Sequence, residues 1–296
     1  MKKTVFEGAA TAIITPLFRD GSIDFESFGR LIEFQIASGI DAVVVAGTTG
    51  ECSTLTDKEH RNVIDFCVKQ VAHRIPVIAG TGSNDIAYAI DLTRAAEESG
   101  ADAMLLVTPY YNKATQAGLV KSFCAIADST KVPCILYNVP SRTGCNILPQ
   151  TAAELSKHPN IVGIKEASGN ISQIAETAML CGEDFSIYSG NDDQIVPVMS
   201  LGGKGVISVL SNLLPTQTSR LCKLCLNGNF AEAAKMQLYY LPLISALFSE
   251  VNPIPAKAAM AAMGYGDDSL RLPLTPLSEN NRKNLFDEMR KCGIDF

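Results

Sequence analysis

The chain has 296 residues, 47% of them hydrophobic and 19% charged, with a formal net charge of −6 at pH 7. This is the composition of a globular protein, and the acidic balance argues against a surface for nucleic acid or for an anionic membrane. No stretch approaches the roughly 20 apolar residues of a membrane span, and Glu7 interrupts the only segment that resembles a signal peptide. We therefore expect a cytoplasmic protein that binds neither nucleic acid nor a membrane.

The cysteines and histidines are too scattered to indicate a disulfide framework or a metal site. Nine cysteines are an odd number, and each stands apart except Cys222 and Cys225. That CxxC lies in an amphipathic helical pattern without a second pair, which favours helix packing over redox or zinc chemistry. Three histidines without an HExxH motif make a catalytic metal improbable, so no metal is expected.

Short apolar runs recur along the chain at the spacing of βα units. SGIDAVVV and SGADAMLLV share a frame of Ser-Gly, any residue, Asp-Ala and an apolar run. They begin at residues 38 and 99, about two βα units of ~30 residues each apart. The predicted strands are 10–14, 43–45, 76–79, 104–107, 134–137, 161–164, 186–188 and 206–209.

Helical patterns separate these strands, for example at 57–71, 85–98, 118–128 and 213–226. Thr56 and Glu59 form a capping box, and Pro149 stands at a first turn. Eight strands alternating with helices predict an α/β fold, the (β/α)₈ TIM barrel. An open doubly wound sheet is the alternative.

Only helical patterns follow residue 227, at 230–248, 253–263 and 279–291. We expect residues 1–227 to form the catalytic barrel and residues 228–296 to form a C-terminal helical extension packed on it.

Lys165 is a lysine at the end of a run that reads as a buried strand. In a barrel, functional residues lie at the C-terminal ends of the strands. Apolar walls favour the neutral amine, which can form a Schiff base with a keto acid. The alternative is a strand that surfaces here, leaving Lys165 and Glu166 solvated.

Other strand ends add groups suited to the same chemistry. Tyr137, Tyr111 and Thr49 supply hydroxyls for a proton relay. Thr48 with its neighbouring glycines could hold a small carboxylate, and Arg142 offers a fork for a second one. Each also has a structural explanation: a core tyrosine, an arginine paired with a surface acid, or a Gly-Thr-Thr-Gly turn that tolerates positive φ.

No cofactor is expected. The GTGSND segment at 80–85 lacks the third glycine of a dinucleotide fingerprint, and Gly203-Lys204-Gly205 lacks the Ser or Thr of a P-loop.

Five motifs together resemble the dihydrodipicolinate synthase family of the N-acetylneuraminate lyase superfamily, in order and over nearly the whole chain. They are GTTGE at 47–51, YYN at 110–112, YNVPSRTG at 137–144, GIKEASG at 163–169 and NPIPAK at 252–257. The resemblance implies a barrel with C-terminal helices, assembled as a homotetramer (a dimer of dimers). It also implies a lyase that condenses pyruvate with L-aspartate 4-semialdehyde to 4-hydroxy-tetrahydrodipicolinate, in lysine and diaminopimelate biosynthesis.

The resemblance assigns roles to individual positions. Lys165 matches the Schiff-base lysine, Tyr137 the central relay tyrosine and Thr49 the threonine that links two tyrosines. Tyr111 matches a tyrosine inserted from the neighbouring subunit. The implied substrate-binding residues are Thr48, Gly190 and Ile207 around the pyruvate adduct, and Arg142 for the semialdehyde carboxylate.

An allosteric lysine site is also implied by the resemblance, at Asp57, His60, Asn84, Tyr88 and Tyr110. Tyr88 stands where lysine-inhibited members have a glutamate, and Asp57 replaces a histidine. A neutral phenol cannot pair with the ammonium of a bound lysine. We therefore expect weak inhibition by L-lysine or none.

Two other functions remain open. Sialic acid lyases and 2-keto-3-deoxy sugar-acid aldolases share the lysine and the tyrosine, but Arg142 and the Thr48-Thr49 pair favour the synthase. A catalytically silent small-molecule binding barrel is the other alternative, and a turnover assay with pyruvate separates it from the enzymes.

Overall fold

The structure, a computed structural model, describes residue 2 and residues 4–296. Its eight strands pair in parallel, each with the next along the chain, and β8 closes onto β1. The strands are β1 Gly8–Ala12, β2 Ala42–Val45, β3 Val77–Gly80, β4 Ala103–Val107, β5 Cys134–Asn138, β6 Ile161–Glu166, β7 Ser186–Ser189 and β8 Gly205–Ser208. The predicted (β/α)₈ barrel is confirmed, and the open sheet is wrong.

Helices surround the barrel and continue beyond it. They are α1 Phe25–Ala37, α2 Asp57–Val71, α3 Ile86–Ser99, α4 Gln116–Ala127, α5 Pro140–Thr143, α6 Pro149–Leu155, α7 Ile171–Cys181, α8 Ile195–Ser200, α9 Pro215–Leu226, α10 Phe230–Leu247, α11 Ile254–Ala262 and α12 Glu279–Lys291. Short 3₁₀ turns occupy Cys52–Thr54, Asp192–Gln194 and Leu210–Asn212. None of the helices in the described part of the chain is both long and apolar enough to cross a membrane.

Local capping explains where several helices begin and end. Thr56 and Glu59 form both bonds of the predicted capping box at the start of α2. Gly100, at φ +91°, ends α3 in the left-handed conformation that glycine adopts without strain. α4 begins two residues before the predicted helix, because the Thr115 side chain accepts from the N–H of Gly118 at 3.1 Å.

The first strand lies two residues earlier than predicted. β1 pairs with β8 from Gly8 onward, and it leaves the ladder after Ala12. The buried Ile14 that follows donates its N–H to the side chain of Asn212 at 3.2 Å instead of to a strand. The apolar residues that follow Ala12 are therefore buried without belonging to the strand.

Side chains of the strands fill two layers. Ala42, Val44 and Leu105 belong to the cluster inside the barrel. Val43 and Leu106, their neighbours in the chain, belong to the cluster between the strands and the helices. Both faces of each strand are buried, which is why the strands read as continuous apolar runs.

The three helices beyond α9 pack on the side of the barrel that α8 and α9 cover. α10 packs against α8, α9 and α12, and α11 packs against α12 and the turn Leu210–Asn212. The boundary predicted at residue 227 falls between α9 and α10. Cys222 and Cys225 are free thiols buried in the packing of α9, so their spacing serves the helix interface.

Candidate active site

The C-terminal ends of the strands surround a cavity of about 200 Å³. This is the end of a (β/α)₈ barrel that carries function. Six predicted site residues line it together: Thr48, Thr49, Tyr137, Arg142, Lys165 and Gly190. The fold therefore gathers into one cavity groups that lie up to about 140 positions apart in the chain.

A β-bulge in β6 turns Lys165 into the barrel. Opposite the step from Cys134 to Ile135 in β5, β6 advances from Ile161 to Gly163, so Val162 is an extra residue. Strict alternation would place Lys165 on the helix-facing side with Ile161. The bulge reverses the alternation beyond it, as bulges beside functional sites commonly do. Lys165 then pairs in register with Tyr137, and both line the cavity.

Burial makes the amine of Lys165 reactive. Only 7% of the residue is exposed, and its Nζ lies 4.3 Å from the ring centroid of Tyr137. Burial lowers the pKa of Lys165 to about 7, an effect that Arg142 reinforces and Asp192 opposes. A large fraction of the amines is therefore neutral near pH 7.

The solvated alternative for Lys165 and Glu166 is wrong, because both are buried. Glu166 points to the other side of the strand from Lys165. Its carboxylate accepts from the Asn138 side chain at 3.1 Å and from the N–H of Ser168 at 2.8 Å. The two residues therefore have separate environments, and only the lysine faces the cavity.

The phenol of Tyr137 is placed to donate a proton. Its side chain is buried and hydrogen-bonded to that of Thr48. Burial raises the pKa of Tyr137, so the hydroxyl keeps its proton near pH 7. A protonated phenol beside a neutral amine is the arrangement that acid catalysis of carbonyl addition needs.

The Gly-Thr-Thr-Gly loop does not use its glycines for positive φ. The left-handed residues are Ala46 (φ 53°) and Glu51 (φ 55°), which flank it. Gly50 is required by space: a Cβ there would lie 3.2 Å from Thr15 Oγ1 and 3.3 Å from the carbonyl oxygen of Ile13. The alternative of a turn with its glycines at positive φ is therefore wrong, since close packing explains Gly50.

A buried ion pair fixes the end of this loop. Lys257 Nζ on α11 lies 2.6 Å from Glu51 Oε1, and both side chains are buried. The second oxygen of Glu51 accepts from the backbone N–H of Arg271 at 3.3 Å. The loop after β2 is thereby attached to the C-terminal helical region.

Arg142 extends from the short helix α5 at the end of β5 and faces the cavity. Its Nη2 donates to the backbone oxygen of Asn252 at 3.3 Å instead of to a surface acid. A guanidinium with unused donors at the rim of a cavity can bind a carboxylate.

Gly190 lines the cavity, whereas Ile207 does not. A Cβ at Gly190 would lie 2.6 Å from the Cβ of Ala167 and 3.1 Å from Lys165 Cε, so any side chain there would press on the lysine. Ile207 is not among the residues that line the cavity; it is buried in the barrel interior, in the same cluster as Tyr137.

Tyr111 lies outside the cavity of its own chain. It is 90% exposed, on the loop after β4, with φ at 72°. Its neighbour Tyr110 is partly exposed on the same loop.

The positions expected to bind lysine lie near the start of α2 and α3. His60 is buried, with Nε2 2.8 Å from the carbonyl oxygen of Gly80, and Asn84 donates to the carbonyl oxygen of Tyr110 at 3.2 Å. Tyr88 faces Asp57: burial and the Asp57 carboxylate raise the pKa of the phenol.

Two residues of the site went unpredicted. Asn252 lines the cavity and donates to Thr49, although the NPIPAK motif that contains it was recognised. Asp192 is buried after β7, where its Oδ2 accepts from the N–H groups of Val209 and Leu210 at 3.0 and 2.9 Å. No local pattern marks either contact, because each joins residues distant in the chain.

The glycines of the GTGSND segment serve strand packing. A Cβ at Gly80 would lie 2.3 Å from the carbonyl oxygen of Ala46, and one at Gly82 2.3 Å from the N of Val107. Within the described residues, no three His, Cys, Asp or Glu side chains are grouped so that they could hold a metal ion.

Comparison with known proteins gives a consistent result. Residues 5–291 match the dihydrodipicolinate synthetase family. A 4-hydroxy-tetrahydrodipicolinate synthase of Alkaliphilus oremlandii is 54% identical over 290 residues, which cover 98% of this chain and 100% of that protein. The crystal structure of a dihydrodipicolinate synthase from Aquifex aeolicus has a TM-score of 0.96 at 44% identity, covering 98% of this chain and 99% of that one. A chloride-inhibited dihydrodipicolinate synthase from Acinetobacter baumannii, complexed with pyruvate, has a TM-score of 0.96 at 43% identity. The match covers 99% of this chain and 100% of that one.

Proposed function

The chain belongs to the dihydrodipicolinate synthetase family, and we propose from this premise that it condenses pyruvate with L-aspartate 4-semialdehyde to 4-hydroxy-tetrahydrodipicolinate. The observation that carries the proposal is the buried amine of Lys165, with a pKa of about 7, in one cavity with Tyr137 and Arg142. The product belongs to lysine and diaminopimelate biosynthesis.

The reaction begins when the neutral Lys165 amine attacks the keto carbon of pyruvate. The resulting carbinolamine loses water, for which its hydroxyl must gain a proton, and an imine remains. Loss of a proton from the methyl carbon gives an enamine, which adds to the aldehyde carbon of the second substrate. The amine of that substrate then displaces Lys165 from the imine carbon, closing the ring and freeing the enzyme.

Tyr137 is proposed to give and take the protons of these steps. The sequence assigned the relay to Thr49, but the side chain of Tyr137 bonds to that of Thr48, so Thr48 relays the protons in this proposal. The backbone of the Gly-Thr-Thr-Gly loop and the open space at Gly190 accommodate the pyruvate carboxylate and the adduct, with Ile207 in the barrel interior. Arg142 binds the carboxylate of the semialdehyde through a charge-assisted pair. A cavity of about 200 Å³ suits two such short substrates.

Tyr111 completes the relay from a second copy of the chain in this proposal, which therefore includes a homotetramer built from dimers. The exposure of Tyr111 outside its own cavity supports this arrangement. The nine cysteines of the chain are all free thiols, which suits the reducing conditions of the cytoplasm proposed as its location. Residues 1–227 carry the chemistry, and the helical region after them supports the loop after β2.

Trapping with borohydride tests the nucleophile. Pyruvate followed by borohydride is expected to add one reduced pyruvate to the intact protein, on the peptide that contains Lys165. Lys165→Arg is expected to abolish the adduct, because a guanidinium stays protonated. A label on Lys257 or Lys204 instead would show that the nucleophile is wrongly assigned.

A pair of variants separates substrate recognition from chemistry. Arg142→Ala is expected to form the pyruvate adduct but to lose most of the condensation, since a charge-assisted hydrogen bond contributes about 1.5–3 kcal/mol. Tyr137→Phe is expected to slow the chemical steps while pyruvate still binds. Equal damage to adduct formation by both variants would contradict this division.

A further inference from the structure

We propose that Asn138 and Glu166 form a positioning pair for the candidate active site. The pair holds the phenol of Tyr137 against the amine of Lys165, and it anchors the loop that carries Arg142. The proposal rests on the roles that the proposed function gives to these three side chains. Each member of the pair directly follows one of the reacting residues, at the end of β5 or β6. Neither member lines the cavity, so the pair acts through its neighbours.

The pair lies on the outer face of the barrel strands, behind the reacting groups. Successive side chains of a strand point to opposite faces. Tyr137 and Lys165 pair in register and line the cavity, and the next two residues pair in register on the face toward the helices. There Asn138 Nδ2 donates to both carboxylate oxygens of Glu166, each at 3.1 Å. A shift of either strand end that breaks this bond therefore also separates the phenol from the amine.

The carboxylate of Glu166 is 2% exposed and is held by neutral donors. The N–H of Ser168 donates to its Oε1 at 2.8 Å, and the side chain of Gln173 on α7 also bonds to it. Burial raises the pKa of Glu166, and the bonds from Asn138, Ser168 and Gln173 oppose the rise. Because a buried polar group that loses its partner is destabilising, the arrangement depends on which atoms donate and which accept.

The remaining atoms of the Asn138 amide close the loop after β5. Asn138 Oδ1 accepts from the N–H of Ile147 at 2.9 Å, and Nδ2 also donates to Asn146 Oδ1 at 2.8 Å. The loop thus leaves β5 and returns to the last residue of that strand. Arg142 lies within this loop, on α5. One fully buried amide therefore fixes both the strand end beside Tyr137 and the base of the loop.

Glu166→Gln tests the pair and leaves the loop attached. The variant keeps the size of the side chain but replaces one acceptor oxygen by a donor, which then faces Asn138 Nδ2 or the N–H of Ser168. The rate of pyruvate adduct formation and kcat for condensation should both fall, on the order of 10-fold to 10²-fold, as misplacement of reacting groups does. KM for the semialdehyde should change little, because the loop keeps both its bonds to Asn138.

Asn138→Ala removes the contacts to the strand and to the loop together. It should lower kcat as Glu166→Gln does. It should also raise KM for the semialdehyde by about tenfold, since the charged contact of Arg142 is then misplaced. This difference in KM between the two variants separates the two functions of the amide.

Reversal of the pair provides a rescue. Asn138→Asp alone places two carboxylates against each other, so that one of them must take up a proton. Combined with Glu166→Gln, the carboxylate and the amide have exchanged places and can bond again. The double variant should therefore have a higher kcat than either single variant.

A pH profile distinguishes positioning from an effect of charge. Glu166→Gln removes a buried carboxylate that is adjacent to Lys165 in the chain but on the other face of β6. The midpoint of adduct formation against pH should stay where it is in the unmodified protein, while the plateau rate falls. A midpoint that moves would show that the carboxylate acts on the amine through its charge, which would overturn the proposal.

Asn160→Asp is the matched control, at the opposite end of the same two strands. Asn160 Nδ2 donates to the carbonyl oxygens of Ala127, Thr130 and Val132, at 3.1, 3.0 and 2.9 Å. The substitution sets a carboxylate against three carbonyl oxygens, so it should lower the melting temperature. At temperatures where every variant is folded, kcat of this control should be unchanged.

A loss of kcat in Glu166→Gln no greater than in Asn160→Asp would overturn the proposal. So would a double variant that is no more active than the two single variants. Failure of the proposed function would look different, since the unmodified protein would then trap pyruvate without condensing it with the semialdehyde. The rate of trapping on Lys165 would still report on the pair in that case.

Discussion

Lys165 owes its reactivity first to burial in the barrel and then to the charges of Asp192 and Arg142. Burial and Arg142 lower its pKa, and Asp192 opposes them, leaving a pKa of about 7. The protonated amine cannot attack a carbonyl, so the rate of adduct formation should rise with pH through about 7 and level off above. Rapid mixing with pyruvate and quenching with borohydride, from pH 5.5 to 9, measures this profile.

Asp192→Asn should shift the midpoint of that profile to lower pH, because a nearby negative charge favours the ammonium form. The amide can still accept from the N–H groups of Val209 and Leu210. Asp193→Asn, at the exposed neighbouring position, is the control and should leave the midpoint in place. A midpoint that moves equally in both variants, or in neither, would show that Asp192 has no such influence.

The close packing around Gly190 leads to a third prediction at the scale of single residues. Gly190→Ala places a methyl group 2.6 Å from the Cβ of Ala167 and 3.1 Å from Lys165 Cε. Such overpacking should lower the free energy of unfolding by about 1–3 kcal/mol and slow adduct formation. Chemical denaturation and borohydride trapping measure the two effects.

Removing the closest contact should reduce both losses at Gly190. Adding Ala167→Gly to Gly190→Ala removes the closest atom, and the double variant should recover part of the stability and of the trapping, since the contacts with Lys165 Cε and the carbonyl oxygen of Glu166, both at 3.1 Å, remain. Gly29→Ala on α1, where the nearest atom would be 3.5 Å away, is the control and should be neutral or stabilising. No recovery in the double variant would mean that the clash with Ala167 is not the cause.

At the scale of elements, the contact between α11 and the loop after β2 depends on a buried ion pair. Lys257→Met leaves the carboxylate of Glu51 buried without its cation, which should cost about 3–5 kcal/mol of stability. Adding Glu51→Gln removes the stranded charge and should recover a large part of that loss. Denaturant unfolding of the two variants gives the comparison.

An exposed lysine provides the control for this pair. Lys69 bonds to Asp65 at 2.7 Å on the surface of α2, where solvent screens the charges. Lys69→Met should therefore change the free energy of unfolding little. Equal losses for Lys257→Met and Lys69→Met, or no recovery with Glu51→Gln, would show that burial of the pair does not matter for stability.

The element scale also shows what the sequence could predict. Strands buried on both faces are apolar throughout, so the eight runs and their order were readable from local pattern. The direction of the Lys165 side chain could not be predicted, because it depends on the extra residue Val162. A bulge has no reliable signature in residue type. The bond from Asn252 to Thr49 joins residues about 200 positions apart, and only the closed fold brings them together.

At the scale of the whole molecule, the structure adds a reason to expect only weak inhibition by lysine. Asp57 is the only acid among the five positions implied for the allosteric site, and it already accepts from Arg61 Nε at 3.0 Å. Arg61 also pairs with Asp91. The ammonium of a bound lysine would have to displace a guanidinium of the same chain, while Tyr88 stays neutral near pH 7.

L-Lysine at physiological concentrations is therefore expected to inhibit the condensation weakly or not at all. Steady-state rates with both substrates, with and without lysine, test this. Arg61→Ala uncovers the carboxylate of Asp57 and should increase any sensitivity to lysine. Strong partial inhibition of the unmodified protein that disappears in Asp57→Ala would show that the aspartate has taken over the role of the missing glutamate.

The proposed assembly of the active site from two chains leads to the last prediction. Tyr111 is 90% exposed and does not line the cavity of its own chain. Tyr111→Phe and Lys165→Met should each be nearly inactive alone, by 10²-fold or more, since one lacks a relay hydroxyl and the other the nucleophile. In a mixed dimer, the chain with Tyr111→Phe keeps its own Lys165 and receives Tyr111 from its partner. One of the two sites is then complete, and co-expressed chains with different affinity tags should recover up to about half of the activity per mixed dimer.

Tyr137→Phe with Lys165→Met is the control: both residues line the cavity of the same chain, so mixing cannot complete a site. Recovery in both mixtures, or in neither, would contradict a site shared between subunits.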